Sequence, residues 1–396
     1  MTPASNQAPG VHVPRWFNVH LVRAGYIVWT IASLAVLIVV GRAARPATVL
    51  EPAFEAVAAF WTGAPVYTPG IHGFIYLPSS LVLFSPFTLL GPWGGGIAWR
   101  LLSATLLAVA AIRAARVFVP GDRWHGAAMI LPLLMPTASG VLANGQFEGP
   151  MLALLALAAA DIADNRWRRA ALIAGLAVGL KPIAVVFVLL AAAVWPAYRW
   201  VGLGAAAATL ALPFVNPDWS FVVAVYHAAY IKLSAAGAPG IGAWNDVHML
   251  LTVLGVRPPD WAMTMVRVAA AIATVGLAAR ATSRNEHVSA VLLVFALAQT
   301  YQLLFNPRTE GLSYVNLGFI GGTFAARALL LDARPKRAAA IAAMCLAMGM
   351  TGLTRGLLNA TRGWFRATLC IVFVAGVLIP DVWRSGLPRS AERRQG

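Results

Sequence analysis

About a dozen apolar segments, most of them close to 20 residues long, follow one another along this chain. A hydrocarbon core about 30 Å thick is crossed by about 20 apolar residues in a helix. Lipid cannot satisfy exposed backbone groups, so such segments must be helices rather than open strands. The segments lie near residues 21–41, 74–91, 96–118, 126–143, 147–163, 169–181, 182–197, 199–215, 262–280, 288–305, 313–331, 337–353 and 366–383.

The composition agrees, because 60% of the residues are hydrophobic and only 11% are charged. A chain of this kind cannot cover itself with polar surface as a water-soluble globule must. The sequence therefore predicts an all-α, polytopic integral membrane protein with about 11 to 13 transmembrane helices.

The formal net charge of +16 is best explained by membrane topology. Basic residues crowd short loops and the C-terminal tail, which is the pattern of cytoplasmic loops. We expect the N-terminal segment 1–20 and the basic tail 384–396 to be cytoplasmic. We do not expect the protein to bind nucleic acid. The basic positions are Arg166, Arg168, Arg169, Arg280, Arg284, Arg334, Lys336, Arg337, Arg384, Arg389, Arg393 and Arg394.

Strict alternation of crossings conflicts with this charge pattern. If 21–41, 74–91 and 96–118 all cross, Arg113 and the loop with Arg166 lie outside the cell, against the charge rule. The simplest solution is that 74–91, which contains Pro78 and Pro86, is a short or re-entrant helix. The unusual polar residues then share the outer face.

Four polar motifs lie on that outer face, and the later outer loop 216–261 contains one of them. Each has an ordinary explanation, such as a helix cap or a local ion pair. Together, in a chain so poor in charge, they indicate a substrate site, because ionisable groups within a membrane are costly. The motifs are "LANGQFEGP" (Asn144, Gln146, Glu148), "GLKP" (Lys181), "GAWNDVHML" (Trp244, Asn245, Asp246, His248) and "FNPRTEGLSY" (Asn306, Arg308, Glu310, Tyr314).

Lys181 is one of three lysines and interrupts the apolar run "AGLAVGLKPIAVVFVLL". Its side chain could simply extend to the membrane interface. Alternatively, Pro182 ends the helix there, and the ammonium binds an anionic head group such as a phosphate. We favour the phosphate contact.

The first outer loop, 42–73, contains two acids and one histidine: Glu51, Glu55 and His72. The pattern of its N-terminal half predicts an amphipathic helix that lies on the membrane surface. Glu51 and Glu55 are four residues apart and so share a helical face. A solvated face is the ordinary explanation, but acids are scarce in this chain, with 14 in total.

These motifs resemble a known family. The stretch "FWTGAPVYTPGIHGFIYLPSSLVLFSPFTLL", followed by "NGQFEGP", the arginine turn and "AGLAVGLKP", is similar to polyprenyl-phosphate-sugar-dependent glycosyltransferases of the GT-C superfamily. Within that superfamily, it resembles the alpha-(1,2)-mannosyltransferase-like group, glycosyltransferase family 87 or domain of unknown function 2029. The matching residues are Gly63, Tyr67, Tyr76, Pro78, Pro86, Gly145, Gln146, Gly175, Gly179, Lys181 and Pro182.

The resemblance implies one GT-C-like transmembrane domain over 21–383 and an inverting sugar transfer at the outer face of the cell membrane. It implies a polyprenyl-phosphate-linked donor, a mannose-like sugar and a glycolipid or polysaccharide acceptor. The family carries an Asp in the first outer loop as base, whereas this loop has none. Glu51, about a dozen residues before Gly63, fills that role, with Glu55 and Asp246 as alternates.

The same inverting sugar transfer needs cations that stabilise the departing phosphate and polar groups that bind the sugar and the acceptor. Membrane lipids are further partners, and no cofactor or metal is expected, because no Asp-x-Asp motif or histidine cluster occurs. Trp61 and Tyr76 offer ring faces to sugar or lipid. Donor-phosphate contacts are Lys181, Arg308 and His72, and sugar or acceptor contacts are Tyr76, Asn144, Gln146, Asn245, Asp246 and Glu310.

Two other functions fit part of the pattern. A lipid or sugar transporter also builds its site from broken helices, but no repeat of the Gly-Gln or Lys-Pro segment follows residue 200. A degenerate, non-catalytic GT-C-like protein would explain the missing Asp.

Overall fold

The computed structural model of the protein describes residues 17–42, 49–70, 72–119, 123–237, 244–349 and 364–384. Throughout these ranges the regular structure is helical, and they contain no strand. The all-α, polytopic fold is confirmed. Most of the predicted segments 1–20 and 384–396 lie outside the described residues.

Six helices are long and apolar enough to cross a membrane, counted among the described residues: Val19–Arg42, Gly91–Phe118, Trp124–Asn144, Asp260–Arg284, His287–Phe305 and Trp364–Trp383. Three short 3-10 turns, at Pro182–Ala184, Leu212–Val215 and Gly311–Tyr314, join neighbouring helices. A π-helical turn, Val374–Leu378, interrupts the last of the six helices. The helices are α1 (Val19–Arg42), α2 (Leu50–Thr62), α3 (Pro78–Thr88), α4 (Gly91–Phe118), α5 (Arg123–Asn144), α6 (Glu148–Ala163), α7 (Trp167–Leu180), α8 (Val185–Val194), α9 (Pro196–Leu210), α10 (Trp219–Gly237), α11 (Val247–Val253), α12 (Asp260–Arg284), α13 (His287–Phe305), α14 (Val315–Leu330), α15 (Pro335–Gly349) and α16 (Trp364–Trp383).

One end of the bundle, here called the arginine end, gathers the basic loops. Arg113 near the end of α4 bonds Asp161 at 3.2 Å, and Arg169 at the start of α7 bonds the same carboxylate at 2.9 Å. Arg327 of α14 donates to Ser289 of α13 at 2.6 Å. Helices distant in sequence therefore present their basic termini together.

The opposite end, here called the polar end, gathers the turn between α5 and α6 and the junction between α7 and α8. Helices α2, α3 and α10 also lie there. Gly41 near the end of α1 faces Trp93 at the start of α4, so both helices reach this end.

Helix α3 explains how the early chain satisfies the charge pattern. It has 11 residues, about 16 Å of helix, and is too short to cross about 30 Å of hydrocarbon. It packs against α2 and α4. Helix α4 follows α3 and runs to the arginine end, where Arg113 lies beside the loop with Arg169. The length of α3 agrees with the prediction of a short helix within 74–91; that it does not cross stays a prediction.

Helix α2 is amphipathic, as the sequence indicates. Its apolar face packs against the bundle. The buried residues of this face are Leu50, Ala53, Ala56, Val57 and Phe60.

The segment 216–261 differs from the expected loop. It contains the 19-residue helix α10 and the short helix α11. Asn216 donates from its side-chain amide to the carbonyl of Phe60 at 3.1 Å, which ties this segment to the end of α2. Both predicted outer loops therefore contribute helices to the polar end.

Candidate functional site

Lys181 lies at a break between two helices. Helix α7 ends at Leu180, and Lys181 is extended, with φ −148° and ψ 118°. Pro182 causes the break, because proline disfavours the helical region for the residue before it and lacks an N–H. The side chain leaves the helical register and is 20% exposed.

The Lys181 ammonium forms an ion pair with Glu148, in the first turn of α6. The ring of Tyr76 lies 5.8 Å from the same nitrogen. Burial raises the pKa of Tyr76 to about 12, so its phenol keeps the proton at neutral pH. The predicted Lys181 and Tyr76 are thus brought together, and the buried Glu148 joins them.

The turn between α5 and α6 positions Gln146. Its amide nitrogen donates to a carboxylate oxygen of Glu310 at 3.2 Å, across 164 residues of sequence. Gly145 has φ +66°, and a Cβ there would lie 2.6 Å from the side chain of Leu50, so glycine is favoured at this position. The indole of Trp99 donates to the Gly145 carbonyl at 3.0 Å. Asn144, half-buried at the end of α5, completes the turn.

The segments 244–246 and 306–310 are joined by backbone contacts. The Asn245 N–H donates to the Thr309 carbonyl at 2.8 Å, and the Tyr314 hydroxyl donates to the Asn245 carbonyl at 2.7 Å. The Arg308 guanidinium lies 5.1 Å from the centre of the Trp244 ring. The Gln146–Glu310 bond and the Lys181–Glu148 pair join these segments to the other two motifs, so all four sequence motifs converge at the polar end.

Asp246 has a local structural contact. Its side chain accepts the Met249 N–H at 2.8 Å and caps the start of α11. Burial raises the pKa of this carboxyl group. Capping leaves Asp246 only partly available for other chemistry.

Lys232 of α10 was not predicted, although it is another of the three lysines. It is 4% exposed, and its ammonium donates to the carbonyls of Thr68, at 2.8 Å, and His72. Burial and the positive charge of Arg308 lower its pKa. Lys232 thus holds the backbone of Thr68 close to that of His72. The His72 side chain itself is exposed.

Glu51 and Glu55 lie on the exposed face of α2, opposite its buried face. Leu50, next to Glu51, fills the space beside Gly145. Glu51 is the second residue of α2, whose first residue adjoins the turn that carries Gln146, and Glu55 lies one helical turn further along. Trp61 is also exposed, and its indole donates to Ser85 at 2.8 Å.

Glu148 is the main residue that the predicted site omitted. The sequence did indicate this residue, because an acidic side chain within an apolar helix needs a partner of opposite charge. Its partner Lys181 is 33 positions away, and only the packing of α6 beside α7 brings the two together. Among the described residues, no group of three or more His, Cys, Asp or Glu side chains could hold a metal ion.

The profile of glycosyltransferase family 87 matches residues 74–307, more than half of the chain. The match includes Tyr76, Gln146, Glu148 and Lys181, and it ends just before Arg308. No curated protein matches the chain. The chain therefore belongs to glycosyltransferase family 87 and is a multi-pass membrane glycosyltransferase.

Proposed function

We propose that the protein transfers a mannose-like sugar from a polyprenyl-phosphate donor to a glycolipid or polysaccharide acceptor. The transfer inverts the anomeric centre, needs no metal ion and occurs at the outer face of the cell membrane. The observation that carries the proposal is the charged cluster at the polar end of a family 87 chain, where Lys181 pairs with Glu148, and Glu310 bonds Gln146.

Lys181 and Arg308 bind the donor phosphate. A lysine ammonium has three donors, so the one that Glu148 accepts leaves two for phosphate oxygens. The pairing fixes the position of the ammonium before the donor arrives. Arg308 is a second cation, and its planar guanidinium suits phosphate geometry. Together they stabilise the charge that develops on the departing polyprenyl phosphate. His72 is a further candidate phosphate contact.

Glu51 acts as the general base that takes the proton from the acceptor hydroxyl. It lies on the exposed face of the first turn of α2, next to Leu50, whose side chain adjoins Gly145 in the turn carrying Gln146. Glu55 lies further from that turn and is the first alternate. Asp246 is the second alternate, because it already caps α11.

The remaining polar side chains bind sugar or acceptor hydroxyls. Amide and carboxylate groups can accept from hydroxyls, and amides can also donate to them. Tyr76 donates with its protonated phenol. Trp61 offers its exposed ring to lipid. The other contacts in this group are Asn144, Gln146, Asn245, Asp246 and Glu310.

The arginine end faces the cytoplasm, and the polar end faces outward, by the positive-inside rule. We assign one GT-C-like domain to 21–383, with the first outer loop at 42–73 and the later outer loop at 216–261. The donor then reaches the cluster from the outer leaflet.

The test uses the purified protein in vesicles with radiolabelled polyprenyl-phosphate mannose and a glycolipid acceptor extract. We expect labelled product with inverted anomeric configuration, formed equally in the presence of a chelator. Loss of transfer with chelator would contradict the metal-independent mechanism. Movement of the lipid between leaflets without transfer would instead support a flippase.

A further inference from the structure

Beneath the charged cluster, three phenylalanine rings form an apolar layer. Phe295 of α13 lies 5.7 Å from Phe187 of α8 and 6.4 Å from Phe319 of α14, measured between ring centroids. These rings are almost completely buried. They mark a level at which α8, α13 and α14 meet inside the bundle.

One helical turn closer to the polar end, the same faces carry amides. Gln299 follows Phe295 by four residues on α13, and Asn316 precedes Phe319 by three on α14, so each lies above the ring of its own helix. Gln302 lies one further turn along α13. Their residue exposures are 0% for Gln299, 4% for Gln302 and 1% for Asn316.

These amides lack hydrogen-bond partners within the part of the chain that the structure describes. Five side-chain atoms are buried without a partner: the amide nitrogen and oxygen of Gln299, the same two atoms of Gln302, and the side-chain oxygen of Asn316. A buried polar group without a partner is costly, and native proteins contain few. Five such atoms on facing helices point to a polar ligand that is absent from the structure.

The amide layer lies directly below the charged cluster. The backbone carbonyl of Gln302 accepts from the Thr309 hydroxyl at 3.3 Å, next to Glu310 in sequence. Helix α13 packs against α6, whose first turn carries Glu148, and against α8, which follows Lys181. The order toward the bundle interior is therefore charged cluster, amides and aromatic rings.

We propose that Gln299, Gln302 and Asn316 bind the hydroxyl groups of the donor's sugar ring. The inference deepens the proposed function and rests on it. Sugar hydroxyls donate and accept, and so do carboxamides, whereas a phosphate would only accept. A donor with its phosphate on Lys181 and Arg308 directs its sugar toward the amide layer, below which the aromatic rings lie.

The experiment measures binding of two lipids to the purified protein: a short-chain prenyl-phosphate mannose and the same prenyl phosphate without sugar. Gln299→Met and Gln302→Met keep the side-chain length but remove the amide. Each should weaken binding of the mannose lipid about 3- to 10-fold and leave the sugar-free lipid unaffected. Thr300→Val is the matched control, because its buried hydroxyl already donates to Ala296 at 2.9 Å.

Thermal stability gives a second readout. If the amides have no partner in the lipid-free protein, their replacement by Met should raise its Tm, because the cost of burying them disappears. A fall in Tm would assign the amides to the fold and overturn the inference. Equal weakening of both lipids, or no weakening of the mannose lipid, would also overturn it. If the wild type binds neither lipid, the proposed function fails, and the inference fails with it.

Discussion

Lys181 presents an ammonium group at the junction of two apolar helices, where an unpaired charge is expensive. A lysine that only extends to the interface would point its charge into water. The side chain of Lys181 instead is 20% exposed and pairs with Glu148, which is 5% exposed. An ion pair held this far from water is fixed in position, as a phosphate contact requires.

Replacing Lys181 with Met should weaken use of the phosphate donor by about 10- to 100-fold, since a charge-assisted hydrogen bond contributes about 1.5 to 3 kcal/mol. The measurement is the donor dependence of transfer in vesicles. Lys181→Met leaves Glu148 buried without a partner, which destabilises the fold. The double variant with Glu148→Gln removes that penalty and isolates the phosphate contact.

Lys336→Met is the control, because Lys336 is the exposed lysine of α15 at the opposite end. Its transfer rate should equal that of the wild type. If the folded double variant used donor as well as the wild type, Lys181 would not bind phosphate.

Replacing Glu51 with Gln should lower turnover about 10²- to 10⁴-fold, which is the usual contribution of general-base catalysis. Glutamine keeps the shape and hydrogen bonding of the side chain but cannot take the proton. Donor binding should therefore stay nearly unchanged. Single-turnover kinetics with prebound donor would separate the two effects.

Glu55→Gln is the matched control, because both acids lie on the exposed face of α2. It should retain most of the activity. A reversed result would exchange the roles of the two residues. Full activity in both variants would move the base elsewhere, with Asp246 as the next residue to test.

At the scale of the elements, the tight turn between α5 and α6 decides where Gln146 and Glu148 point. Arg100, which is 1% exposed, donates to the carbonyls of Leu142 at 2.9 Å and Ala143 at 3.1 Å. It satisfies carbonyls at the end of α5 that the helix leaves open. The turn is thus fixed from α4 and by the contact of Leu50 with Gly145.

Gly145→Ala should lower both stability and turnover. The positive φ costs a non-glycine residue about 1 to 2 kcal/mol, and the added Cβ would displace Leu50 and the adjoining Glu51. Thermal unfolding and transfer assays measure the two effects. Gly255→Ala is the control: Gly255 has φ +83° and nothing within 4 Å of an added Cβ. Equal losses in both variants would show that backbone strain alone acts.

The sequence predicted where the helices lie better than which side chains contact one another across them. Apolar runs and prolines located α4 to α9 and the short α3, because length and breaks depend on neighbouring residues. From the sequence, the region of α10 is expected to be part of a loop. Apolar segments indicate helices when they are long enough to cross a membrane, and a helix within a loop need not be that long. The contacts Gln146–Glu310 and Lys181–Glu148 depend on which helices pack together, and that information is not local.

At the scale of the whole molecule, charge is distributed unequally between the two ends. The arginine end carries the basic loops, and some of their charge is paired, as in the contact of Arg337 with Asp381 at 2.7 Å. The polar end has fewer charges, and those of Lys181 and Lys232 are buried or paired. We propose that the exposed arginines set the orientation, and that the buried or paired charges of the polar end belong to the substrate site.

This orientation predicts the labelling of single cysteines by an impermeant thiol reagent in intact cells. Cysteines at Asn165 and Arg334, both exposed at the arginine end, should resist labelling, whereas one at Thr62, exposed at the end of α2, should react. The background should be low, because Cys345 and Cys370 are buried. All three introduced cysteines should react once the cells are permeabilised, which separates protection by the membrane from protection by the fold. Labelling at Asn165 in intact cells would put Lys181 and Glu148 at the cytoplasmic face, because α6 and α7 run between that loop and the site, and the donor would then have to enter from the inner leaflet.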